Sequence, residues 1–95
     1  MEYRNNNNYL TIQVADQSDY TYLERMANQI TERYGGRIAS KHATFHEHYW
    51  EIEFLYGTLV LQMEQFVGIF IFMKDGSHDD QLHEIAEMIK IGDFD

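Results

Sequence analysis

The chain contains no cysteine and no proline. Without cysteine there is neither a disulfide framework nor a cysteine-based zinc ribbon. Without proline there is no Pro-rich hinge to divide its 95 residues, which are expected to form one domain. Bases are scarce: seven Lys and Arg face sixteen Asp and Glu, giving a formal charge of −9 and a pI near 4.8. That shortage argues against direct nucleic-acid binding, which needs clustered cations for the phosphates. Long apolar runs are also missing. The longest, Phe66–Met73, is far short of the roughly 20 residues of a membrane span. The first residues lack the charged-then-apolar pattern of a signal peptide. The expectation is a cytoplasmic protein.

Two things are abundant. Aromatics number seven Tyr, six Phe and one Trp, more than one small core requires. Acid is concentrated in one half. Residues 1–46 hold five acids and five bases, whereas 47–95 hold eleven acids and only Lys74 and Lys90. An uneven field of this kind points to a partner or a face.

The polar run Asn5–Asn8 has no periodicity, so residues 1–8 read as a flexible arm and 9–95 as the domain. Tyr9–Ala15 alternates Leu10, Ile12 and Val14 with Thr11 and Gln13, the pattern of a half-buried strand. A helix is expected from about Asp19 to Tyr34, with Tyr20, Leu23, Ala27, Ile30 and Tyr34 on its apolar stripe and Met26 at the margin. Its N-cap is Ser18, or Thr21 in a capping box with Glu24. Gly35-Gly36 stops it, flanked by Arg33 and Arg37.

Arg37–Phe45 reads as the second strand, and His46-Glu47 as a turn. Tyr49–Leu55 and Thr58–Glu64 then flank Tyr56-Gly57 as a hairpin loop. This register pairs Phe54 with Leu59, Ile52 with Leu61 and Trp50 with Met63 on the core face. Glu53 with Val60, Glu51 with Gln62 and Tyr49 with Glu64 form the other face. The strand Val67–Lys74 has two readings. A four-residue loop turns Phe70 and Phe72 to the core, and a three- or five-residue loop turns Ile69, Ile71 and Met73 there. Asp75-Gly76 is a turn. Ser77 with Asp80 starts a last helix whose stripe is Leu82, Ile85, Ala86 and Ile89, with Gly92 as its stop. The order β-α-β-β-β-β-α is α+β: a mainly antiparallel sheet of about five strands with two helices packed on one face.

Catalytic signatures are weak. There is no Cys and no Ser in a nucleophile elbow, and Gly35-Gly36 lacks the lysine of a phosphate loop. Glu51 and Glu53 share a strand face about 7 Å apart, where two solvated charges repel by roughly 0.6 kcal/mol. That is a tolerable surface, not an acid/base pair in a cleft. His42, His46 and His48 could supply nitrogens to a metal, but no further ligand spacing accompanies them, so they read as solvated. No cofactor is expected.

What remains is the sheet face away from the helices. Phe45, Tyr49, Glu51, Glu53, Val60, Gln62 and Glu64 are the expected partner-binding residues, aromatic and aliphatic groups ringed by carboxylates. In charge and architecture the chain resembles the small acidic inhibitor and immunity proteins of bacteria and phages. The resemblance implies a non-enzymatic domain that binds a basic protein partner. Two alternatives stand beside it. One is a homodimer with a small-ligand or enzymatic site at its seam, lined by Tyr34, His42, His46 and Trp50. The other is a metal-binding protein using the histidines.

Overall fold

The computed structural model describes residues 1–90. The elements follow as β1 (Glu2–Arg4), β2 (Leu10–Ala15), α1 (Tyr20–Tyr34), β3 (Arg37–Ala43), β4 (Glu47–Phe54), β5 (Gly57–Glu64), β6 (Gly68–Met73) and α2 (Asp79–Lys90). The fold is α+β: one six-stranded sheet in the order β1-β2-β6-β5-β4-β3, every neighbour antiparallel. β2 and β3 therefore run in the same direction, and α1 carries the chain across β6, β5 and β4 between them. α1 lies on β3, β4 and β5, and α2 on β2 and β6. Both helices cover one face, burying Ile12, Trp50, Ile52, Leu61 and Ile71 almost completely. None of the described helices is long and apolar enough to cross a membrane.

The sheet gains a strand because residues 1–8 are not a loose arm. β2 would otherwise expose one row of backbone groups, and β1 pairs with it. Gln13 N donates to Met1 O at 2.8 Å. The asparagine run closes the turn. Asn5 Oδ1 accepts from Asn7 N at 2.9 Å and Tyr9 N at 3.0 Å. Asn8 takes a φ of 64°, a conformation asparagine tolerates.

The central hairpin forms with its register moved by two residues. Ile52 pairs with Leu59, Trp50 with Leu61, Glu51 with Val60 and Tyr49 with Gln62. The loop is Leu55-Tyr56. Gly57 lies in β5 opposite Phe54 and is not among the positive-φ residues. Its missing side chain serves packing, since a Cβ there would sit 3.2 Å from Met73 Cε. Because side chains alternate with period two, a shift of two leaves each residue on its expected face.

The loop from β5 to β6 has three residues, 65–67, with Glu64 opposite Gly68. Ile69, Ile71 and Met73 thus face the helices, and Phe70 and Phe72 the open side. Gly68 has φ +145°, and a Cβ there would meet Ala15 O at 2.1 Å, so this close approach of β6 to β2 requires glycine.

The helix caps also differ. Asp19 is the N-cap of α1, accepting from Thr21 N at 2.9 Å and Tyr22 N at 3.3 Å. Asp19 stands next to the first helical residue, within reach of those amides, whereas Ser18 is one residue further out and its Oγ instead donates to Glu64 O at 2.6 Å. Met26 is fully buried, not marginal. Gly35, at φ 75°, caps the C-terminus by donating to Thr31 O. β3 ends at Ala43, and Glu47 opens β4 instead of a turn. Ahead of α2, Asp75 Oδ1 accepts from Ser77 N and Oγ, so Ser77 belongs to the turn and no capping box forms with Asp80. The expected stop at Gly92 lies outside the described residues.

Candidate functional site

The open face is built by alternation. Period two places Tyr3 of β1, Thr11 of β2, Phe70 and Phe72 of β6, Val60, Gln62 and Glu64 of β5, Tyr49 and Glu51 of β4 and His42 of β3 on one side. Its floor is apolar and closed: Phe70 is 2% exposed and Val60 5%. Tyr3 meets Phe70 edge-on, centroids 6.1 Å apart. The asparagine loop rises over this floor as a wall. Between wall and floor lies a hollow of about 420 Å³ lined by Tyr9, Tyr49, Phe72, His42 and the Glu51–Lys74 pair, among others. A second, of about 580 Å³, adjoins it beneath Asn5–Asn7 and reaches Gln62 and Glu64.

The carboxylates fall into two groups. Glu51 Oε2 holds Lys74 Nζ at 2.7 Å, and Ser40 Oγ donates to its Oε1 at 3.2 Å. The hydrogen bond from Lys74 is the main reason its carboxyl sits below the ordinary range. Partial burial opposes this, and Lys74's charge, Ser40 and His42 add to it. Glu53 holds Arg37 at 2.6 Å. Both acids are therefore neutralised by a cation. Glu47 and Glu64, at the other end of β4 and β5, are held differently. Gln62 Nε2 donates to Glu64 Oε1 at 2.8 Å and Glu47 Oε2 at 3.3 Å, and the Tyr49 hydroxyl donates to the same Glu47 oxygen. Among the described residues no Lys or Arg pairs with either. Their charge is oriented and left uncancelled.

Tyr49, Glu51, Val60, Gln62 and Glu64 are thus brought together. Val60 is floor, not contact surface. Glu53 lies at the far end beside Arg37. Phe45 is not on the face. It stands 92% exposed in the β3–β4 loop at the end of the sheet. Sequence reasoning missed Glu47, which it placed in a turn, Tyr3 and Asn7, which it placed in an arm, and Tyr9, which it placed at the head of a strand without assigning it to the face. The signal for β1 was faint, since three residues carry no readable period.

The other candidate sites do not assemble. His42 is on the open face opposite Tyr49. His48 is on the helix side, edge-on to Tyr20 at 5.3 Å. His46 is in a loop with its Nδ1 3.1 Å from Gln65 Oε1. The turn between β3 and β4 separates them, and among the described residues no three potential metal ligands converge. The pocket of Tyr34, His42, His46 and Trp50 is likewise divided by the sheet. Trp50 is 1% exposed on the helix side, with Lys41 Nζ 4.1 Å from its ring centroid.

Residues 1–90 match the model of a family described as "Protein of unknown function (DUF3630)", and the chain belongs to that family. No curated protein and no solved structure matches it.

Proposed function

We propose that the chain is a small acidic, non-enzymatic protein-binding domain of inhibitor or immunity type, and that its open sheet face meets a basic protein partner. One observation carries the reading. Glu47 and Glu64 flank Tyr49 and Gln62 above an apolar floor, and among the described residues no Lys or Arg forms an ion pair with either. Oriented surface carboxylates accelerate encounter with a basic surface, and the aromatic groups beside them supply buried area once contact is made. Glu51 and Glu53 contribute less, because Lys74 and Arg37 cancel their charge at close range.

The test is association with a basic protein encoded beside this gene, followed against salt. Glu47→Lys with Glu64→Lys is expected to slow association at least tenfold at low salt and flatten the salt dependence. Glu51→Lys with Glu53→Lys should do less. Equal effects from the two pairs, or none from the first, would remove the face from the interaction.

The hollow beside Tyr9, Tyr49 and Phe72 favours a second reading, a small-ligand protein. Its volume of about 420 Å³ falls in the range of ligand clefts, roughly 300–1,000 Å³, and one cation stands at its edge. Titration with the anionic dye anilinonaphthalene sulfonate tests it. No fluorescence rise with the native protein counts against this reading.

A further inference from the structure

We propose that the end of the sheet nearest Glu47 and Glu64 carries the anchors of the interaction: Phe45 and Phe66 enter apolar sockets on the basic partner. The inference rests on the reading above, that the partner is a basic protein, and names how it is gripped.

Antiparallel pairing puts the β3–β4 loop and the β5–β6 loop at the same end of the sheet. They are clasped to each other. Gln65 N donates to His46 O at 2.9 Å, and the His46 and Gln65 side chains meet at 3.1 Å. The next residue outward on each loop is a phenylalanine, 92% exposed at Phe45 and 90% at Phe66. Val67 and Tyr20, each 46% exposed, are at the same end. Scattered exposed apolar residues are ordinary, but two fully displayed rings on joined loops are not.

The Phe66 loop is also held in place from both sides. Phe66 has a φ of 67°, the left-handed region that disfavours a bulky side chain. The loop is pinned on both sides: Ser18 Oγ donates to Glu64 O at 2.6 Å, and Gln13 Nε2 donates to Val67 O at 3.1 Å. Gly68 then allows β6 to close on Ala15. A ring held outward before binding loses little freedom on docking, which is the property of an anchor.

Charge selects the occupant. Segments 15–20, 43–48 and 63–68, which form this end, contain Asp16, Asp19, Glu47 and Glu64 and no Lys or Arg. A second copy docked end to end would set these acids against their own kind, and an anionic lipid surface would repel them. A basic protein complements them.

The test is photo-crosslinking in the native host, with p-benzoylphenylalanine replacing Phe45, Phe66, Tyr49 or Leu55 in the full chain. Leu55 is fully exposed at the opposite end and serves as the control. The expected result is one common adduct from positions 45 and 66, absent from 55, whose partner mass spectrometry identifies as a basic protein. With that protein purified, Phe45→Ser and Phe66→Gly should each weaken binding at least tenfold while thermal unfolding of the free chain stays in place. An adduct from position 49 alone would overturn the anchors and leave the face reading standing. A partner that is not basic, captured at 45 and 66, would overturn both. So would a dimer of this chain, a lipid adduct, or no adduct at any position.

Discussion

The two ends of the sheet are built from the same residue types and treat them in opposite ways. At the lower end, where β3 begins and β4 and β6 finish, charges are paired: Arg37 with Glu53, Lys74 with Glu51, and Arg4 with Asp79 close by. Aromatics there pack on one another. Phe54 stacks on Tyr56 with centroids 5.2 Å apart, Tyr34 meets Phe54 edge-on, and His78 closes on Tyr56. Burial raises the pKa of Tyr56, whose hydroxyl has no hydrogen-bond partner among the described residues, a polar cost set against its packing. At the upper end, among the described residues, no Lys or Arg pairs with Glu47 or Glu64, and Phe45 and Phe66 stand exposed. One end spends its side chains on stability. The other leaves them exposed, as the proposed binding surface requires.

The sharpest way to break this contrast is to compare a buried ring with a displayed one. Trp50→Ala should destabilise the fold by about 3–5 kcal/mol in denaturant titration. Phe45→Ala should stay within about 0.5 kcal/mol. Similar losses would mean that Phe45 is packed and that the upper end is structural. Next, Gly68→Ala forces a Cβ into Ala15 O and should cost roughly 2–3 kcal/mol. It should also disturb the amide resonances of 64–68 more than those of the lower hairpin loop.

Smaller effects belong to the ion pairs. Glu51's carboxyl is lowered in the folded state, chiefly by Lys74. Its stabilisation is therefore present above the ordinary carboxylate pKa and lost as pH falls through the lowered value. Lys74→Met should cost up to about 1 kcal/mol at neutral pH, since Lys74 is largely exposed. The difference should vanish in strong acid, and unfolding at a series of pH values checks both. The smallest effect lies at His83, raised above 6.5 first by its hydrogen bond with Glu2 and opposed by slight burial. Its contribution is complete below 6.5 and fades as pH rises through the folded value. The pair ties β1 to α2. Hydrogen exchange of the β1 amides, corrected for intrinsic rates, should accelerate modestly from pH 6 to 8. His83→Gln should abolish that change.

Much of the fold was legible. Strict alternation across Tyr49–Glu64 identified a hairpin and assigned its faces, and the 3.6-residue stripes identified both helices and most of their buried residues. The register was misread by two because Gly57 looked like a turn residue, whereas it lies in β5 opposite Phe54, leaving Leu55-Tyr56 as the loop. The face of β6 was undecidable because it hangs on the parity of a loop length. The site was legible in part. Parity alone placed Tyr49, Gln62 and Glu64 together on the open face that forms the candidate site. Phe66 was not drawn out, although an aromatic inside the loop of Gln65–Gly68 was a usable sign.

By itself the sequence determined the α+β class, the helix stripes, the two faces of the central hairpin and the concentration of acid in residues 47–95. All of these follow from periodicity and composition along one dimension. Only the tertiary structure decided that β2 sits beside β6 and receives β1. It also decided which carboxylates meet a cation, and that two loops separated by the whole β4–β5 hairpin hold Phe45 and Phe66 at one end. Those outcomes depend on which strands pair across long separations. Pairing is chosen by the burial of whole faces together, so no local pattern encodes it.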